Sequence, residues 1–264
     1  MVFQGIKDSP IAAELFDMRG YLSDKPLAGD LHRVQLESGY QSEVLEPMNR
    51  HRIQYSDPDR QNSFRIEFEA LMPPVMWASN AHFEQAMKAR GELVLRGKHY
   101  QVKCYNVRDR SWGEARPEKI HPIPPSTWMT GVFRDDFAFN CSASDHPDLG
   151  PIWKDTFNVD ADKVLKGGWV HLGGKTAHIV SCKKLTHYDP RTLYPARIDL
   201  EFTDDQDRTF KMKGTVIAAC QFNAWMTLRA PVCLTKWECN GEVAYGDAQD
   251  GQWNDFVRQF LPGQ

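Results

Sequence analysis

The sequence predicts an all-β protein, an antiparallel sandwich or barrel, on three observations. Apolar and polar residues alternate with period two in segment after segment, turn-forming dipeptides sit between those segments, and helical periodicity is scarce. Taken along the chain, Ile11–Phe16 predicts a short helix, and few strand patterns precede Val34. A boundary is expected near Glu46-Pro47, dividing a segment 1–46 from a β domain 47–264. In Arg65–Leu71 the residues Ile66, Phe68 and Ala70 point one way while Arg65, Glu67 and Glu69 point the other. Glu92–Arg96 and His99–Cys104 flank Gly97-Lys98, read as a two-residue turn because glycine accepts a positive φ. That hairpin groups Leu93 and Leu95 with Tyr100, Val102 and Cys104.

Three further hairpins follow. Gly173-Gly174 opposes His171 with Thr176 and Trp169 with His178, so these four share one face and Val170, Leu172, Ala177 and Ile179 share the other. Asp204–Asp207 forms a polar tip between Arg197–Thr203 and Thr209–Ile217. Asn240-Gly241 links Leu234–Cys239 to Glu242–Gly246. At the end, Trp253, Phe256, Val257 and Phe260 fall at helical spacing and predict one closing helix with an apolar stripe.

Composition narrows the function classes. The chain has 264 residues, 32 Lys and Arg against 35 Asp and Glu, and a net charge of -3, which excludes a general nucleic-acid binder. No apolar run reaches the roughly 20 residues of a membrane-crossing helix. Met1–Asp8 carries no basic stretch leading into an apolar run, so a cytoplasmic location is expected. The six cysteines lack a C-x-x-C spacing and read as buried free thiols. His171 and His178 are diagonal neighbours without a third ligand, so no metal is expected there. His171 reads instead, with Trp169, as lining a ligand site. No phosphate loop or G-x-S-x-G elbow occurs, and Ser111 has no evident oxyanion loop. The oligomeric state is left open.

The segment that stands out is Tyr105-Asn106-Val107-Arg108-Asp109-Arg110-Ser111-Trp112-Gly113, read as following a strand. Two readings are open. Asp109 between Arg108 and Arg110 serves as a structural clasp, or it stands at the mouth of an apolar cavity as a general acid or base, its charge state set by burial and the guanidinium groups. In the second reading the arginines also suit a substrate with a carboxylate or another anionic group. His82, in His82-Phe83-Glu84-Gln85, is an imidazole that can orient or donate a proton.

These segments together, with Gly91-Glu92-Leu93, the Gly97-Lys98 turn and an Arg-Asp-x-Ser-Trp-Gly pattern, resemble the hydroxyneurosporene synthase (carotenoid 1,2-hydratase) and AttH-like superfamily over roughly Leu45–Gly246. The resemblance implies a lipocalin-like fold of two barrel or sandwich halves, with 1–46 as a reduced first half and 47–264 as the lipocalin-like domain. It further implies Asp109 as the acid, assisted by His82, with Trp112 in the same wall. Relatives there include carotenoid hydratases and Diels-Alder cyclases. The chemistry expected is hydration or dehydration, isomerisation or cyclisation of a small hydrophobic or amphipathic molecule, without a cofactor. Arg108 would set the charge of Asp109 or, with Arg110, grip the substrate. Protonating an alkene creates a cation that aromatic faces stabilise, and Tyr105, Trp112, Trp128, Trp169 and Trp225 are candidates for that lining. The competing expectation is a carrier that holds a lipid-like metabolite and does no chemistry.

Overall fold

Tight hairpins account for nearly all of the architecture. The structure is a computed structural model that describes residues 2–6, 9–17, 31–112, 124–150, 157, 159–222 and 228–260. The chain divides into two compact units, one of Arg19–Ser111 and the other of Met1–Met18 with Trp112–Gln264.

In the second unit, β1 (Val2–Ile6) and β2 (Ser9–Asp17) pair with each other. The helix expected at Ile11–Phe16 is therefore strand. A six-residue apolar run is ambiguous between the two states, and it is too short to hold a helix without tertiary support. Here pairing decides, Phe3 lying opposite Phe16 and Gln4 opposite Leu15.

The Arg19–Ser111 unit is an open antiparallel sheet. Its strands are β3 (Arg33–Gln35), β4 (Gln41–Glu46), β5 (Arg50–Asp57), β6 (Asn62–Ala70), β7 (Val75–Met76), β8 (His82–Leu95) and β9 (Lys98–Ser111). Their order is β3-β4-β5-β6-β8-β7, with β9 also paired to β8. Glu46-Pro47 lies at the turn between β4 and β5, where Glu46 opposes Arg50. The β8–β9 turn uses Arg96 and Gly97, at φ 46° and 78°, in place of Gly97-Lys98. That slides the register by two residues, from Leu95 opposite Tyr100 to Leu93 opposite Tyr100. Because side chains alternate with period two, the expected faces survive the slide.

The remaining strands are β10 (Ser126–Arg134), β11 (Phe137–Ser144), β12 (Leu165–Leu172), β13 (Lys175–Tyr188), β14 (Pro195–Asp204), β15 (Thr209–Phe222), β16 (Leu228–Cys239) and β17 (Glu242–Trp253). They form a closed eight-stranded antiparallel barrel. The three hairpins expected here occur, with Leu172 and Lys175, Thr203 and Thr209, and Cys239 and Glu242 as the pairs nearest their turns and His171 opposite Thr176 as expected. The closing helix α1 (Asn254–Phe260) follows, with Phe256 buried against Leu193, Tyr188 and Phe157. Among the described residues no helix is long and apolar enough to cross a membrane. Cys141, Cys182, Cys220, Cys233 and Cys239 are buried thiols, and Cys104 is exposed.

Closure puts inward side chains in contact from all sides. Trp237 occupies the interior, with Phe139 edge-on at 5.3 Å, and Phe202 and Phe210 stack at 5.2 Å beyond it. Such pairs add roughly 0.5–1.5 kcal/mol each beyond area burial. Gly214 leaves room for the indole, since a Cβ there would stand 2.6 Å from Trp237 Cζ3. Gly214→Ala should therefore destabilise the protein by about 1–3 kcal/mol through overpacking. A thermal melt followed by circular dichroism checks this, with a drop of about 2–4 °C per kcal/mol expected at this size.

Candidate functional site

The strand expected to end at Cys104 continues to Ser111, because the early part of β8 pairs with it. Its register sets His82 opposite Ser111, Phe83 opposite Arg110, Glu84 opposite Asp109, and Gln85 opposite Arg108. Directly opposed residues share a face and successive residues alternate. One face thus carries His82, Glu84, Asp109 and Ser111, and the other carries Phe83, Gln85, Arg108 and Arg110. This corrects the picture of a carboxylate gripped between two guanidinium groups: Arg108 and Arg110 turn away from Asp109. Nor is Asp109 enclosed, for it is an exposed residue of β9.

On the first face a hydrogen-bonded chain forms. His82 Nδ1 is 2.7 Å from Ser111 Oγ, and its Nε2 is 3.1 Å from Glu84 Oε1. The Glu84 side chain is 0% exposed and that of His82 13%, whereas Ser111 is exposed. A carboxylate can only accept, so with Glu84 ionised Nε2 carries the ring proton and Nδ1 accepts from the Ser111 hydroxyl. Trp77 meets the imidazole edge-on at 5.1 Å and donates its backbone N–H to His82 O, fixing the ring from the side. An imidazole oriented by a buried carboxylate, with its other nitrogen joined to an exposed hydroxyl, is equipped to relay a proton.

The opposite face is cationic. Arg108 lies over the Phe83 ring, 5.1 Å from its centroid, and burial together with Arg110 holds its proton affinity below the ordinary arginine value. His51 stacks on Phe68 at 4.8 Å. Burial, and then Arg108 and Arg110, lower the His51 pKa from 6.5 to about 4.

The other expected residues are dispersed. Tyr105 sits opposite Lys88, on the His82 face but further along β9. Trp112, next after β9, is 52% exposed. Trp169 and His171 are 1% and 4% exposed, yet they alternate with Val170 of the barrel core and so lie on the outer side of the barrel wall. Trp128 likewise alternates with the core residue Met129. None of the three lines the barrel interior. His171 Nδ1 is 2.8 Å from Thr176 Oγ1, and burial holds its pKa down, partly offset by Asp136. Trp225 lies outside the described residues. No group of three or more His, Cys, Asp or Glu side chains among the described residues is placed to hold a metal.

One cluster carries no sequence signal. Inside the barrel, toward the end packed by α1, Lys184 Nζ donates to Asp145 Oδ1 at 2.5 Å, Thr186 Oγ1 at 2.6 Å and Thr127 Oγ1 at 2.9 Å. Asp250 accepts from Thr127 Oγ1 at 2.7 Å and Gln252 Nε2 at 2.8 Å, and burial raises its pKa. Lys184 reads in sequence as one polar residue in an alternating strand. Two of its three partners, Thr127 and Asp145, lie 57 and 39 residues away.

An eight-stranded closed antiparallel barrel, in one chain with a second, open antiparallel sheet, defines a lipocalin-like architecture. The chain belongs to the family described as Domain of unknown function (DUF7064), which matches residues 13–257. No curated protein matches it. Among solved structures, an AttH-like protein from Nitrosomonas europaea is similar with a TM-score of 0.57 at 13% identity, over 83% of this chain and 69% of that one. Kievitone hydratase from Nectria haematococca gives a TM-score of 0.47 at 12% identity, over 77% of this chain and 65% of its own length. At such identities the likeness to the AttH-like protein shows the fold.

Two outcomes are expected. Lys184→Met strands a buried carboxylate at Asp145 and should cost about 3–5 kcal/mol, read by denaturant unfolding. Stability should also fall as the pH drops from 6.5 toward 4, because the unfolded state takes up the proton that folded His51 refuses. The sign follows from the lowered pKa: the contribution is complete above 6.5 and lost on approaching 4. Melting His51→Phe, which keeps the ring stack, across that range should give a flatter acid limb than the parent protein.

Proposed function

We propose that the protein is an acid–base enzyme acting, without a cofactor, on a small hydrophobic or amphipathic molecule, within the range of hydratase or dehydratase, isomerase and cyclase chemistry. The observation that carries the reading is His82 held between the buried Glu84 and the Ser111 hydroxyl. In this reading His82 moves the proton, Glu84 fixes its tautomer and balances the imidazolium that forms, and Ser111 passes the proton to or from the reacting molecule. Asp109, opposite Glu84 on the same face, is a second carboxylate within the strand pair. Arg108 takes no part, since it faces the other side of the sheet. An interior filled by Trp237, Phe139, Phe202 and Phe210 argues for chemistry on the sheet rather than at the centre of the barrel.

The experiment incubates purified protein with a pool of small apolar and amphipathic metabolites in deuterated water and follows deuterium entry by mass spectrometry. His82→Ala should lower turnover by about 10²–10⁴-fold, the usual weight of a positioned acid or base, with Glu84→Gln between it and the parent. A folded His82→Ala protein with full turnover would remove the basis of the assignment.

A further inference from the structure

The face of the sheet that carries Arg108 and Arg110 has no role in the chemistry above, and it is built unlike a surface meant only for water. Following the register from β9 to β5, it presents Val102, Gly91, Ile66 and Ile53 in one row and Cys104, Ala89, Phe68 and His51 in the next. Ile53, Ile66, Phe68 and Val102 are half-buried, so apolar surface stays partly accessible along a line of three strand spacings, roughly 14 Å.

Toward one end of this face stand the two arginines. Their strand partners, Gln85 and Phe83, are uncharged, and the hairpin's carboxylates, Glu84, Glu92 and Asp109, belong to the opposite face. Among the described residues neither guanidinium has a carboxylate partner, while burial and then Arg110 raise the cost of charge on Arg108. Two polar atoms near them are also unanswered: His51 Nδ1 and Gln85 Oε1 are buried and lack a hydrogen-bond partner among the described residues. Gln85 itself is held in place, its Nε2 donating to Met48 O at 2.8 Å and Met72 O at 2.9 Å. Like charges gathered on partly buried ground, beside an apolar strip, lower their energy when an anion with an apolar tail supplies both missing contacts.

We propose that this face is a binding site for a fatty-acid-like carboxylate, with Arg108 and Arg110 on the head group and the tail running from Phe83 toward the Phe68 end of the apolar strip. The site is separate from the His82 chemistry, being on the other side of the same sheet, and stands whether or not the protein is an enzyme. Dodecanoate, kept below its micelle concentration, serves as the probe for calorimetry on the full chain, with dodecanol as the neutral control. Dodecanoate should bind well ahead of dodecanol. Arg110→Gln, at an exposed position, and the double variant with Arg108→Gln should weaken dodecanoate by about 10- to 100-fold, the worth of a charge-assisted contact. Dodecanol binding should not move. Bound carboxylate should also raise the pKa of His51 from its value of about 4, seen in the imidazole proton resonances, by offsetting the two guanidinium charges. Equal binding of the acid and the alcohol, unaltered dodecanoate binding by folded Arg110→Gln and double variants, or no binding of dodecanoate to the parent protein would each overturn the assignment. His82→Ala should bind dodecanoate like the parent, so loss of turnover and loss of this site are read apart.

Discussion

What the β8–β9 pair can do chemically is decided by the two-residue period of an extended strand. Neighbours in sequence cannot act on one group from the same side, and residues opposed across the ladder must. Because β9 is strand through Ser111, the acidic and basic members of the Arg108-Asp109-Arg110 run are sorted to opposite faces. Glu84 then meets His82, two residues away on its own strand, and His82 meets Ser111 across the ladder. A one-residue slip would exchange these partners wholesale. The Arg96-Gly97 turn, with both residues at positive φ, guards against that slip.

The barrel meets the same problem of charge in another way. Lys184 is fully buried, a state that a lone ammonium could not sustain. Asp145 supplies the opposite charge, Thr186 and Thr127 take the remaining protons, and Thr127 links the cluster to Asp250. Strands β10, β13 and β17 and the segment after β11 are thereby tied together at one end of the interior. Aromatic packing around Trp237 fills the rest. A buried pair of this kind repays its desolvation only when every polar partner is in place, which favours a rigid wall over an adaptable pocket.

Local rules made much of this visible in the sequence. Period-two alternation and the Gly173-Gly174 and Asn240-Gly241 turns carry enough information to place the hairpins, including the facing of Trp169 with His178. The spacing of Trp253, Phe256, Val257 and Phe260 does the same for α1. What alternation cannot supply is which side of a closed sheet is the inside. Trp169 and His171 were expected to share a face, and they do, but that face is the outer one. Ile11–Phe16 shows the opposite weakness, a short apolar run whose state is settled by a partner strand. For the candidate site, His82 was legible as an imidazole in His82-Phe83-Glu84-Gln85. Ser111 joins it only through a register spanning 29 residues. A strand expected to end at Cys104 carries no alternation into 105–111, and it is that alternation which separates Asp109 from its arginines.

That separation has an energetic consequence. Opposite unit charges 4 Å apart attract by about 1 kcal/mol in water and about 4 kcal/mol at an effective dielectric constant of 20. Had Asp109 shared a face with Arg108 and Arg110, it would have neutralised part of their field and left little for a ligand to gain. Sorting the charges by face leaves carboxylates with an imidazole on one side and guanidinium groups with aromatic rings on the other. One face then holds an imidazole tied to a carboxylate and a hydroxyl, and the other holds two guanidinium groups without a carboxylate partner among the described residues. A single sheet can in this way present two chemically distinct surfaces, with the register as the device that keeps them apart.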